Sequence, residues 1–213
     1  MGYRSSTSQG FATTTPWTVT KPAGTADGDQ MLVCLGHGAG GSVNSVPAGW
    51  TLDSGPHAVG GQTVRIYRKV ASGEGASWAW GFTSGVTGIA QAVSVSDVDA
   101  IAPMNITGFQ VNAASVNVVA PSVTTTAAGC TLVGFFYSQA AGGSYTVPGG
   151  MTEVQDQAQG SNAMETAHQL LGAAGATGTR TAVCTVANAN IGYLAAIAPF
   201  VVSSGASLLV AFP

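Results

Sequence analysis

Ala39-Gly40-Gly41-Ser42, a spacer and Val46-Pro47-Ala48-Gly49-Trp50-Thr51 return about a hundred residues later as Ala141-Gly142-Gly143-Ser144, a shorter spacer and Val147-Pro148-Gly149-Gly150-Met151-Thr152. Both blocks follow an apolar run with a Leu-Val pair, Leu32-Val33 and Leu132-Val133. Further on, Val64–Val70 aligns with Glu165–Leu171, and Gly88-Ile89-Ala90 with Gly192-Tyr193-Leu194. Short repeats would build a solenoid or a propeller. One duplication of this length points to two similar half-sandwiches, sharing one core or standing side by side. The expected organisation is a polar N-terminal arm over 1–17 and a single β-sandwich over 18–213. Its halves span about 18–99 and 120–202, with a crossover strand and loops across 100–126 and a C-terminal strand at Ser207–Phe212.

The local signals are those of strands. Gln30–Gly36, Val64–Val70, Ser77–Phe82, Ile89–Val95, Thr131–Tyr137, Thr181–Val186 and Gly192–Val202 are short apolar or alternating runs punctuated by Gly, Pro, Ser and Asn. Asn162 to Leu171 has helix-favouring residues, yet its place in the repeat argues for a strand. In each Pro-Gly turn the proline presets φ and the following glycine accepts positive φ. Trp50 and Met151 are then equivalent core plugs beneath their turns. Trp50 as an exposed sugar-stacking platform is the alternative. Trp78, Trp80 and Phe82 fall on one strand face and are expected to be buried. Gly36–Ser45 and Gly55–Gln62 read as neutral recognition loops.

Only 7% of residues are charged, against about a quarter in ordinary soluble domains. Gly, Ser, Thr, Ala and Asn take their place and make a neutral surface suited to contact with other protein. Six Lys and Arg are too few to neutralise a row of phosphates, so no nucleic-acid partner is expected. Arg65, Arg68 and Lys69 fit the solvent side of a strand. The uncharged stretch Ile191 to Pro213 is broken by Pro199 and Ser203-Ser204-Gly205 and reads as buried strands, not a membrane insertion. The first ten residues have no apolar core of the secretory-signal kind. Cys34, Cys130 and Cys184 lack metal-binding spacing and read as buried thiols of a protein made in a reducing cytoplasm.

No catalytic constellation is legible. His37, His57 and His168 have no neighbouring acid in sequence, and there is no G-x-S-x-G elbow. Asp27-Gly28-Asp29 and Asp97-Val98-Asp99 have calcium-compatible oxygens but read as turn caps. No catalytic, cofactor-binding or metal residue is therefore assigned, and the chain is expected not to be an enzyme.

Val19-Thr20-Lys21-Pro22-Ala23-Gly24, a short gap, and Gly28-Asp29 leading into Gln30-Met31-Leu32 resemble the opening of a domain found in phage and prophage genes. Pro47-Ala48-Gly49-Trp50 and Arg65-Ile66-Tyr67-Arg68-Lys69-Val70 continue the likeness, which covers roughly residues 18–99. That resemblance implies an all-β, jelly-roll-like antiparallel β-sandwich and a place among minor tail, head-spike or decoration proteins. It implies a structural accessory protein on the virion surface in contact with other virion proteins, and the low-charge surface and strand-rich C-terminus 206–213 add the expectation of a homo-oligomer. A module binding a host cell-surface glycan is the first alternative, and an envelope-degrading hydrolase the second. No functional residue carries over, because the matching positions belong to turns and core.

Overall fold

A computed structural model describes residues 2–200, and every element in it is a strand. In chain order they are β1 (Gly2–Thr14), β2 (Trp17–Thr20), β3 (Gln30–His37), β4 (Val43–Ser45), β5 (Thr51–Val59), β6 (Gln62–Val70), β7 (Ser77–Phe82) and β8 (Val86–Ser96). The second half has β9 (Met104–Ala120), β10 (Thr124–Thr125), β11 (Thr131–Ser138), β12 (Tyr145–Thr146), β13 (Thr152–Gln159), β14 (Asn162–Leu170), β15 (Gly175–Ala176) and β16 (Arg180–Ile197). All pairings are antiparallel. The Asn162–Leu170 segment is a strand, as its place in the repeat suggested.

One large sheet has the order β1-β8-β3-β6-β5, and a small sheet, β2-β7-β4, covers its outer face. That is the strand distribution of a jelly roll. The second large sheet runs β9-β16-β11-β14-β13 in the same order. Here the ends of β9 and β16, with β12, fold over the sheet as the small cover. The two large sheets face each other, β1 beside β13 and β5 beside β9.

Three apolar clusters result, one between the large sheets and one under each small cover. Leu32, Cys34, Val64, Ile66, Phe135, Tyr137, Met164 and Tyr193 fill the space between the large sheets. Trp17, Trp50, Trp78, Trp80 and Phe82 fill the first half. Leu132, Phe136, Tyr145, Met151 and Cys184 fill the second. Central strands are thus covered on both faces, which is why β3 and β11 are buried at every residue and read as unbroken apolar runs.

Several expectations change. Residues 2–14 are not a separate arm but β1, the edge of the first sheet, and Trp17 is wholly buried in β2. Gly55–Gln62 is not a loop: β5 runs to Val59 and turns at Gly60-Gly61 into β6. Thr181–Val186 and the start of Gly192–Val202 belong to one strand, β16. Its counterpart in the first half is split. Pro16, which has no N–H to give a ladder, separates β1 from β2, and Thr83-Ser84-Gly85 separates β7 from β8.

The second half takes the same bend through bulges between Val183 and Asn190. The buried Asn190 amide holds that bend, its Nδ2 donating to the carbonyls of Ser115 (3.1 Å), Asn117 (3.3 Å) and Asn188 (3.1 Å). Residues 201–213, with the expected strand Ser207–Phe212, lie outside the described residues.

Candidate functional site

Loops of both halves gather at one end of the molecule. Gly38 N–H donates to Thr87 O and Thr83 N–H to Ser42 O, both at 2.9 Å. Gln139 N–H donates to Ala189 O at 3.0 Å, and Thr185 N–H to Ser144 O at 2.9 Å. The halves meet there: Gln62 Nε2 donates to Ser161 Oγ at 3.2 Å, and a side chain placed on Gly60 would strike Gln139 and Ala189.

The segments 38–45, 60–61, 83–85, 113–117, 139–144 and 185–189 contain no charged residue. Ala39, Gly40, Ser42, Thr83, Ser84, Ala141, Gly142 and Ala187 are exposed. Gly40, Gly41, Ser42, Gly61, Thr63 and Thr83 line an open cleft of about 370 Å³. This end is rich in backbone and hydroxyl groups.

Most charged side chains lie away from these loops and are paired; Arg65, on His37 beside Gly38, and Asp156, which accepts Tyr145 N–H, come nearest to them. Arg4 Nε and Nη2 meet the Asp29 carboxylate at 2.6 and 3.0 Å, and Ser94 Oγ donates to Asp29 at 2.8 Å. Lys69 Nζ lies 2.7 Å from Glu74, which also accepts the Trp78 indole N–H at 2.7 Å. Asp27 accepts Gly73 N–H at 2.7 Å, and Asp99 caps Ile101 and Ala102 N–H at 2.8 Å each. The aspartates considered as calcium ligands thus spend oxygens on turns and on Arg4. Among the described residues no three His, Cys, Asp or Glu converge where a metal ion would bind.

The three histidines stand apart. His57 Nε2 is 2.8 Å from Ser54 Oγ, but neighbouring Asp53 accepts the Tyr193 hydroxyl at 2.6 Å and faces Arg68 at 3.3 Å. The His57 ring lies over Phe109 at 3.8 Å, and His168 stacks on Tyr3 at 4.4 Å.

His37 is fully buried; its Nδ1 donates to Gly38 O at 2.8 Å, and its Nε2 accepts from Arg65 at 2.6 Å. Burial, the largest influence, depresses its pKa; the Gly38 carbonyl opposes it, and the smaller effect of the Arg65 charge adds to it. The folded ring is therefore neutral where the unfolded ring, near 6.5, already takes a proton. Stability is full above that value and falls as pH drops through the folded pKa. The thermal midpoint of His37→Gln is therefore expected to gain on that of the wild type as the pH is lowered from 7 to 5, whatever slope the other titrating groups give both proteins. A midpoint difference that does not change with pH in calorimetry would show that His37 contributes no such slope.

Trp50, weighed as a sugar platform, is 7% exposed and lies edge-on to Trp78 and Trp80. It plugs the first half as Met151 plugs the second, each donating its N–H to the proline of its own turn, at 3.2 and 3.0 Å. Trp78, Trp80 and Phe82 are buried on one face, as the alternation required. All three cysteines are buried free thiols.

What sequence reasoning missed is the segregation itself. No single segment shows it, because it arises only when loops from both repeats are brought to one end. No family model matches this chain, nor does any curated protein or solved structure.

Proposed function

We propose that this all-β protein is a structural accessory component of a bacteriophage particle, acting through protein–protein contacts and not by catalysis. The observation that carries this reading is the uncharged loop end, with most charged side chains lying away from it. Docking a charged surface strips water from ions, whereas a neutral surface of small residues and backbone groups avoids that penalty. Glycine and alanine also let a partner's backbone approach closely. The neutral end would seat on the particle, and the charged surface away from it would face solvent and limit unwanted association. The resemblance of residues 18–99 to phage and prophage domains supports the setting.

The test is compositional and directional. The chain should co-purify with intact particles of the phage that encodes it. A photo-crosslinking residue at Ala141, on the neutral end, should join it to another virion protein, and one at Ser72, away from that end, should not. Absence from purified particles, or crosslinks from Ser72 alone, would overturn the proposal.

A further inference from the structure

Glu165 sits in the middle of β14 with its side chain fully buried, and neither carboxyl oxygen has a hydrogen-bond partner among the described residues. It lies opposite Phe136 of β11 and Asp156 of β13. Its sheet neighbours on the same face, Ala163 and Ala167, belong to the apolar interior of the second half. Tyr145 of β12 and Cys184 of β16 pack into that interior. The Tyr145 hydroxyl is already committed to the Ala163 carbonyl at 3.1 Å.

The ionisable groups that act on the carboxyl from neighbouring strands are acidic: Glu153 and Asp156 of β13, and the Tyr145 phenol. No cation faces it. An ionised carboxylate in this position would be a bare charge in an apolar interior, the costliest arrangement available to a side chain.

The first half handles the corresponding position differently. Val64 and Met164 both point into the space between the large sheets, so the next residues, Arg65 and Glu165, point into their own halves. Arg65 finds His37, the last residue of β3, at 2.6 Å. The last residue of β11 is Ser138, buried and itself without a hydrogen-bond partner. The second half thus keeps an acid where the first keeps a base, and gives it no counter-charge.

We infer that Glu165 is a proton-holding latch: the second half stays closed while this carboxyl carries a proton and opens locally when the proton is lost, the first half remaining folded. Burial, and after it the charges of Glu153 and Asp156, raise the carboxyl to about 8. In an opened second half it would titrate as an ordinary glutamate near 4.3. Between those values the closed form binds the extra proton. Opening therefore becomes about tenfold more favourable per pH unit and levels off above the upper value.

The chain contains its own reporters. All four tryptophans lie in the first half, and Cys130 and Cys184 are buried in the second. On the full wild-type chain, infrared spectroscopy should find one protonated carboxylic acid at pH 7 that disappears on titration past about pH 8. Thiol labelling, read residue by residue by mass spectrometry, should show Cys184 labelled faster in the wild type than in Glu165→Gln. The ratio of the two rates, which cancels the thiol's own pH dependence, should climb about tenfold per pH unit between pH 6 and 8. Tryptophan emission should not move over this range. A spectrum without a protonated acid at pH 7 overturns the inference, even if Glu165→Gln does not fold. So does a flat rate ratio, and so does an emission change that accompanies labelling, which would mean global unfolding.

Discussion

Trp80→Ala is expected to destabilise the protein by about 3–5 kcal/mol, the range for emptying a buried aromatic site. Trp80 is wholly buried in β7, the central strand of the small sheet, and its ring meets Trp50 at 5.3 Å and Tyr67 at 6.0 Å. Trp50 comes from the turn that leads into β5 and Tyr67 from β6 of the large sheet, so the indole packs the small sheet against both. Neighbouring side chains are held by the ladder of β7 with β2 and β4 and have limited freedom to collapse into the gap. Denaturant unfolding should show a lowered midpoint with little change in slope. A loss below about 1 kcal/mol would mean that the small sheet does not depend on its aromatic filling.

Gly192→Val is expected to cost about 3 kcal/mol or more, through overpacking. A side chain at Gly192 would meet Ala120 N at 2.5 Å and Val119 C and O at 2.6 Å. Those are backbone atoms of β9 where it folds over its own sheet, and a rotamer change does not relieve the clash. The valine would lever the cover off the second half. Faster hydrogen exchange at residues 117–120 and 180–184, with the first half unaffected, is the expected signature. A variant as stable as the wild type would show that the cover does not sit this close.

The interior strands were legible because burial on one or both faces leaves an apolar run or an alternation in the sequence. Edge strands were not. β1, β5 and β13 carry Ser, Thr and Gln where an apolar period would have marked them. Their side chains pair across a polar seam, as Gln155 Nε2 does with Ser6 Oγ at 2.9 Å. The repeat misaligned the faces of the strands it matched. Leu32 lies between the large sheets, whereas Leu132, its match in sequence, lies inside the second half. Glu165 aligned with Val64 would have pointed between the sheets, but the register places Met164 there. A slip of one residue exchanges the two faces of a strand, and sequence similarity alone does not resolve such a slip. The charge segregation was invisible for a different reason, since it depends on which loops share an end.

The different treatment of the bend in the two halves has a mechanical consequence. In the first half the two paths that run straight from sheet to cover are interrupted at exposed residues, Thr15-Pro16 and Thr83-Ser84-Gly85. In the second half β9 and β16 run unbroken from sheet to cover, stitched at Asn190. Cutting or re-joining the backbone at residues 83–85 would leave every strand whole, whereas a cut at the matching bend of the second half, residues 185–189, would fall inside β16.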